Sequence, residues 1–273
     1  MRSEELIIQN SIRSIAIGSF DGIHIAHQAL IERVEAVVVI ERNGGYLTPG
    51  YKRSSYVDKP MFFYHFDKIR AMSPEAFVSK IEEDFPALEK IVVGYDFSFG
   101  RGKAGDTQSL SVLFNEAVEV ISEISLDGEP VHSRTIKAHL KEGNIARVNA
   151  MLGRVHRIDG RVIRGQGLGK KALVPTLNLQ VRDYQLPKEG VYATQTLIKE
   201  EWCPSVSFIG HRVSTDGSFA VETHILDRQI ETPPYEVWLE FHAFIRPNKK
   251  FESIVALKRQ IEDDIECAKG VTR

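Results

Sequence analysis

The stretch whose reading decides the fold is SIAIGSFDGIHIAHQ, residues 14–28. Its first five residues, Ser14 to Gly18, are an apolar run that reads as a buried strand, and a helical pattern follows the loop. In open α/β sheets, ligands bind at the carboxyl ends of strands, which is where GSFDG falls. Gly18 and Gly22 allow backbone to approach a ligand closely, and free N–H groups at a helix start favour phosphate. His24 and His27 are spaced i, i+3, so both belong to one face of the helix start. Two imidazoles there can donate hydrogen bonds to phosphate oxygens and stabilise charge developing on a leaving group. They also suit capping and covering the helix start, the reading that spacing alone favours.

Outward from this stretch, residues up to about 149 alternate strand and helix. HQALIERVEAVVVIER reads as a helix ending near Asn43-Gly44-Gly45, while GYLT and FFYHF are strand candidates. SPEAFVSKIEEDF reads as a helix with Ser73 as N-cap and Pro74 in its first turn. KIVVG reads as a buried strand, and RTIKAHLKEG as a helix stopped by Gly143. The pattern predicts a mostly parallel sheet covered on both faces. After residue 150 the rhythm is that of short strands. RVHRIDGRVIRG reads as a hairpin turning at Asp159-Gly160, and GVYATQTLI, CPSVSFIG, FAVETHILD and YEVWLEFHAF read as further strands. In the last, Val237, Leu239 and Phe241 alternate with Trp238, Glu240 and His242. The pattern predicts a small closed barrel, then a terminal helix from about Ser253 with a stripe of Ile254, Leu257, Ile261 and Ile265. The boundary between the halves falls near Asn149 to Gly153.

Composition bounds the function. The 273 residues are 42% hydrophobic and 26% charged, with net charge −2. Such a chain has room for about two domains and no strongly basic balance for nucleic acid. It has no apolar run of the ~18 residues a membrane span needs. MRSEELIIQN lacks the apolar core of a signal peptide. The two cysteines, Cys203 and Cys267, form no metal-ligand spacing and fit a reducing cytoplasm.

Several further residues admit two readings. Asp96 follows KIVVG, where it either orients a ligand or forms a turn. GQGLGKK places Gly165, Gly167 and Gly169 beside Lys170 and Lys171, either as a phosphate loop or as a basic loop without Walker spacing. Thr176 and Asn178 lie two apart in an extended PTLN segment and so share a side. Their oxygens suit Mg²⁺ or its water shell, or they cap a turn after Pro175. Glu222 in VETHILD is, by pattern, a polar residue on a strand.

The motifs together resemble those of the bacterial bifunctional riboflavin kinase/FAD synthetase (FMN adenylyltransferase) family. G-x-F-D-G-x-H-x-x-H is similar to the nucleotidyltransferase signature, with Ala26 where glycine is usual. VGYDFSFGRGKAGD, residues 93–106, is similar to a second motif of the adenylyltransferase half. GQGLGKKALVPTLNL, KEGVYA, VETHILD and FESIVALKRQIEDDI resemble the kinase half in order. The resemblance implies a Rossmann-like nucleotidyltransferase domain over 1–149 and a riboflavin kinase barrel over 150–273. It implies phosphorylation of riboflavin to FMN by ATP, then adenylylation of FMN to FAD with release of pyrophosphate. By the same resemblance Gly18, Phe20, Asp21, His24 and His27 bind ATP in the first half, and His24 and His27 act in catalysis. Asp96 faces FMN. HSRTIK, residues 132–137, stands for the usual Ser-Ser-Thr-x-Ile-Arg, so that Ser133, Thr135 and Lys137 contact ATP. In the second half Gly165, Gly167, Gly169, Lys170, Thr176 and Asn178 bind ATP, Thr176 and Asn178 with Mg²⁺, and Glu222 is the catalytic carboxylate. Departures are Arg134 at the threonine position, Lys137 for arginine, Leu173 for glycine, and TPGYKRSSY in place of a Pro-His-Pro element. Two alternatives stand beside this reading: a riboflavin kinase with weakened or lost adenylyl transfer, and a flavin-binding regulatory protein with vestigial domains.

Overall fold

The computed structural model describes residues 9–42, 45–164, 174–212, 217–228 and 230–272. Packing divides the chain into two compact units, Met1–Ser133 and Arg134–Arg273.

The first unit is built on five parallel strands, β1 (Ser14–Gly18), β2 (Ala36–Glu41), β3 (Met61–His65), β4 (Lys90–Gly94) and β5 (Ala117–Ile121), in the order β3-β2-β1-β4-β5. Each central strand is apolar on both sides, because each side is covered. Ile15, Ile17, Val38, Ile91 and Val93 pack against Phe77, Val78 and Ile81 of the helix Pro74–Asp84. Ala16, Val37, Val39 and Val92 face Phe20, Leu30 and Ile31 on the other side. Ser73 caps Pro74–Asp84 by accepting from Ala76 N–H at 3.2 Å, as its sequence predicts.

Two readings of this half are corrected. The helix expected to continue to residue 42 is Ile25–Ile31 alone, and AVVVIE is strand β2. Consecutive β-branched residues pay for stiff χ1 angles in a helix and fit a pleated sheet buried on both faces. GYLT is not a strand of the sheet. The helix Thr107–Leu113 and strand β5 were not foreseen. A short two-strand ladder, β6 (Ser125–Leu126) with β7 (Glu129–Pro130), follows.

The second unit begins with the helices Ser133–Glu142 and Ile145–Leu152, the first residue of which still belongs to the first unit. Gly143 ends the first helix at φ +82°, the left-handed conformation that favours glycine. The expected boundary, Asn149 to Gly153, falls at the end of the second helix, later in the chain than the packing division between Ser133 and Arg134. Then come β8 (His156–Ile163), β9 (Leu177–Gln180), β10 (Gly190–Ile198), β11 (Glu201–His211), β12 (Phe219–Ile225) and β13 (Glu236–Pro247), closed as an antiparallel barrel in the order β10-β11-β12-β9-β8-β13. Val237, Leu239 and Phe241 are buried as their alternation predicts. The barrel core is partly polar. Thr194, Thr196, Ser205, Ser207 and Thr223 are fully buried and hydrogen-bond one another at 2.8 to 3.1 Å.

RVHRIDGRVIRG is not a hairpin: residues 156–163 form one continuous strand. Asp159 is held by the Tyr184 hydroxyl at 2.6 Å. A Cβ on Gly160 would lie 3.0 Å from Leu179 Cβ, so glycine serves close strand approach there, not a turn. The terminal helix, Ile254–Thr272, covers β10, β11 and β13. Its stripe differs from expectation, because Ile254 is exposed and the covered side holds Asp264 and Ala268. Asp264 is buried because Arg246 of β13 pairs with both its oxygens at 2.8 and 2.7 Å. Among the described residues, no helix is long and apolar enough to cross a membrane.

Candidate active sites

In the first unit the chain leaves β1 toward β2 on one side, while β4 flanks β1 on the other. The carboxyl ends of β1 and β4 therefore form the topological switch point, where open sheets bind ligands. GSFDG follows β1 and YDFSF follows β4, so the sheet order brings both motifs to one edge. The loop is tightly determined. Phe20 and Ile23 adopt φ of +47° and +42°, unusual for side-chain-bearing residues, and Gly22 adopts +94°. Phe20 is fully buried, and a Cβ on Gly18 would come within 3.3 Å of its ring. Gly18 is thus the seat of Phe20.

His24 is the N-cap of Ile25–Ile31: its Nδ1 accepts from the His27 backbone N–H at 3.3 Å. The His24 and His27 rings stack with centroids 3.5 Å apart, and Phe20 lies 5.1 Å from His27. Capping and pairing of the two rings are therefore one arrangement. Asp21 is nearly buried and its Oδ1 accepts from the N–H groups of Leu47 and Thr48 at 2.8 and 3.1 Å. Its carbonyl accepts from Ser133 Oγ at 2.7 Å. Asp96 is exposed in a turn after β4. Beside it, the Tyr95 hydroxyl meets Glu123 and, at 3.1 Å, His132 Nε2. Thr135 and Lys137 lie on the helix Ser133–Glu142, within the second unit.

Sequence reasoning missed Arg53. It is fully buried and donates to the Phe20 carbonyl at 3.3 Å, the Gly50 carbonyl at 3.0 Å and Glu41 at 3.3 Å. It braces the phosphate-loop candidate from within the stretch TPGYKRSSY. Nothing in the pattern of that stretch marks an arginine for burial.

In the second unit a cavity of about 190 Å³ opens between the barrel and the terminal helix. Its lining includes the apolar Val191, Val206, Phe208, Phe251, Leu257 and Ile261, and among its polar residues are Thr176, Arg212, Glu222 and His224. Leu257 and Ile261 of the helix stripe thus face a cavity and not only core. Tyr192 does not: it is fully buried, its hydroxyl bonds the Lys188 carbonyl, and burial drives its pKa upward.

Glu222 on β12 sits opposite Asn178 on β9. Arg212, a second residue the sequence reading missed, joins them. Its guanidinium donates to Glu222 Oε1 from Nη2 at 2.6 Å and from Nε at 3.1 Å, and to Asn178 Oδ1 from Nη2 at 2.7 Å. The segment carrying Thr176 is pinned by His224, whose Nδ1 donates to the Pro175 carbonyl at 2.7 Å. Burial holds His224 below the usual imidazole pKa, against the opposing pull of that bond and of Asp227. Gly165, Gly167, Gly169, Lys170 and Leu173 lie outside the described residues. Thr176, Asn178 and Glu222 are therefore brought together, and the glycine loop stays a reading from sequence.

The geometry has counterparts in known proteins. A family model described as riboflavin kinase matches residues 152–272, and one described as FAD synthetase matches residues 53–135. A bifunctional riboflavin kinase/FMN adenylyltransferase from Pseudomonas fluorescens is 30% identical over 284 residues, spanning 93% of this chain and 91% of its own. Proteins of the same description from Listeria monocytogenes and Escherichia coli K12 are 28% and 26% identical over 92% of this chain, and 89% and 90% of theirs. Among solved structures, a crystal structure titled as a macrolide-efflux protein from Streptococcus pneumoniae matches with a TM-score of 0.83 over 96% of each chain. At 21% identity that is a likeness of fold.

Proposed function

The chain belongs to the bifunctional riboflavin kinase/FMN adenylyltransferase family, and on that premise we propose how its own residues divide the two reactions. The protein is a transferase that phosphorylates riboflavin to FMN with ATP and adenylylates FMN to FAD, releasing pyrophosphate. The alternatives, a kinase that has lost adenylyl transfer and a flavin-binding regulator, are not favoured. Both family models match, and relatives spanning more than nine-tenths of the chain are described by both activities.

Adenylyl transfer belongs to residues 1–149 and phosphorylation to residues 150–273, and neither family-model match crosses that division. In the first reaction the FMN phosphate attacks the α-phosphorus of ATP. This nucleophile is already anionic, so alignment and stabilisation of the leaving pyrophosphate are the main requirements. His24 and His27 supply ring donors to the phosphates. Gly18, Phe20 and Asp21 shape the loop around ATP, and Asp96 orients FMN. Ser133, Thr135 and Lys137 keep the ATP contacts that their motif implies, with Thr135 in the hydroxyl role.

In the second reaction the ribityl hydroxyl must lose a proton as it attacks the γ-phosphorus of ATP. Glu222 is the base, and the flavin lies in the cavity whose wall includes Phe208 and Leu257. A single observation carries this: Glu222 and Thr176 line one mainly apolar cavity, and Glu222 pairs with Asn178 on the next strand. The residues present fit Mg²⁺. Thr176 and Asn178 offer a hydroxyl and an amide oxygen, the hard donors it takes, and Asn178 Oδ1 already accepts from a cation. Bound with ATP, the ion supplies charge shielding to the transferring phosphate. Gly165, Gly167, Gly169 and Lys170 complete the nucleotide site in this reading. The free cysteines fit a cytoplasmic setting.

The test is Glu222→Gln, which keeps shape and removes basicity. Products formed from riboflavin, ATP and Mg²⁺ are separated by chromatography, following FMN and FAD independently. Riboflavin phosphorylation falls roughly 10²–10⁴-fold, while FAD formation from supplied FMN persists. Near-normal phosphorylation would remove Glu222 as the base.

A further inference from the structure

Arg212 stands just after β11 and before β12. It is anchored to Ser218 twice: its backbone N–H donates to the Ser218 carbonyl at 2.9 Å, and its Nη1 donates to Ser218 Oγ at 2.8 Å. The rest of the guanidinium points at the kinase residues. Both of its bonds to Glu222 fall on the same oxygen, Oε1. Among the described residues, Oε2 accepts no hydrogen bond. The Arg212 and Glu222 side chains are only 18% and 23% exposed, so the pair is largely withdrawn from water.

A carboxylate held by two donors on one oxygen cannot swing freely, and its other oxygen faces a fixed direction. Arginine is suited to this, because its planar fork sets two bonds at once, whereas an ammonium sets neither direction nor plane. The third contact extends the effect. Nη2 serves Glu222 Oε1 and Asn178 Oδ1 together, so the carboxylate is registered against the residue read as a nucleotide–metal ligand. The backbone pairing of β9 with β12 brings these two side chains alongside each other, and the guanidinium fixes their head groups.

We propose that Arg212 is a positioning residue of the kinase site: it grips Glu222 by Oε1, presents Oε2 to the ribityl hydroxyl, and keeps that oxygen in register with Asn178. The inference rests on the reading of Glu222 as the base. Arg212 itself touches neither the hydroxyl nor the transferring phosphate; it acts through Glu222.

The experiment uses the full chain and four variants: R212Q, R212K, E222Q and the double variant R212Q/E222Q. Steady-state riboflavin phosphorylation gives kcat and KM, and calorimetry gives the affinity for Mg-ADP. R212Q lowers kcat by about 10²-fold, the scale of a small misplacement of a reacting group. Its KM for riboflavin and its Mg-ADP affinity stay within about threefold of the parent, a binding change of under one kcal/mol. R212K falls between R212Q and the parent, since charge returns without the fork. In the double variant kcat equals that of E222Q alone, because a residue acting through Glu222 has nothing left to position. Parent-like kcat in R212Q or R212K overturns the proposal, as do losses that multiply in the double variant. A fall in Mg-ADP affinity matching the fall in kcat/KM assigns Arg212 to nucleotide binding and overturns it too. Normal turnover in E222Q removes the base reading and this inference together. A large loss in E222Q beside normal turnover in R212Q removes the inference alone. Folding of each variant is checked by tryptophan fluorescence, because Trp202 and Trp238 both lie in the barrel. If R212Q fails to fold, R212K decides by the same criterion.

Discussion

The barrel carries a buried histidine whose effect on stability has a definite sign. His156 opens β8 with 1% of its surface exposed. Its backbone N–H donates to Asn149 Oδ1 at 2.8 Å, and its ring packs 5.8 Å from Phe241. Its Nε2 has no hydrogen-bond partner among the described residues. Burial, aided by the charge of Arg154, pushes its pKa from 6.5 down to about 3. The folded pKa lies below the unfolded one, so between these values the unfolded chain binds a proton that the folded chain refuses. Stability therefore falls as pH drops through 6.5 and continues to fall toward 3, by up to 1.36 kcal/mol per pH unit. From pH 7.5 to pH 5.0 the loss from this one group is about 2 kcal/mol. Denaturant melts read by tryptophan fluorescence report the barrel, since the chain has only Trp202 and Trp238. The comparison is between the parent and His156→Gln at both pH values. Carboxylates titrate in both proteins and cancel in the difference. The parent loses about 2 kcal/mol more than the variant over this interval. Equal losses would show that His156 titrates normally, and that its enclosure does not exclude the proton.

Three further outcomes concern the two sites. In the His24→Ala/His27→Ala double variant, FAD formation from FMN falls roughly 10²–10³-fold while phosphorylation of riboflavin is spared; unchanged FAD synthesis returns both rings to capping alone. Thr135→Val weakens adenylyl transfer and Arg134→Ala does not, assayed as FAD formed from FMN and ATP; the reverse pattern shifts the motif by one position. A fragment of residues 134–273 keeps a cooperative tryptophan melt and kinase activity. One starting at residue 150 loses Ile145 and Val148, both buried in a helix that packs on β8 and β13. At ~1.5–3 kcal/mol for each side chain, that fragment melts markedly lower, and equal melting of the two fragments would refute this.

Much of the fold was legible because burial leaves a periodic trace. KIVVG, FFYHF and the alternation of Val237, Leu239 and Phe241 mark strands by what they hide. The failures have local causes. AVVVIE follows a true helix without a stop signal, so the pattern ran on into strand β2. Asp159-Gly160 has the chemistry of a turn, yet its glycine admits Leu179 from the neighbouring strand, a tertiary contact that local sequence does not encode. The same distinction separates the site residues. Histidines at a helix start and a Pro-Thr-x-Asn segment can be singled out by their spacing, and the surrounding motifs then choose between their two readings. Arg53 and Arg212 carry none, because an arginine is found buried only when the acceptors that hold it come from elsewhere in the fold.

The two reactions ask for opposite things of their carboxylates, and the structure treats Asp21 and Glu222 accordingly. Adenylyl transfer starts from an anion and needs no proton removed. In that half the buried Asp21 receives two backbone N–H groups on Oδ1 and works as a brace between the loop and residues 47–48. A base so placed would be useless, since its better acceptor is already engaged by the backbone. Riboflavin phosphorylation starts from a neutral hydroxyl, and the carboxylate assigned to it lines a cavity. Among the described residues, Glu222 is held on Oε1 alone, by the guanidinium of Arg212. The hold fixes direction, and a general base needs both direction and reach to one proton. Direction is the scarcer quantity for a side chain with three rotatable bonds at a cavity edge. That is why an arginine, and not a more distant or less directional cation, suits the place beside the carboxylate proposed as the base.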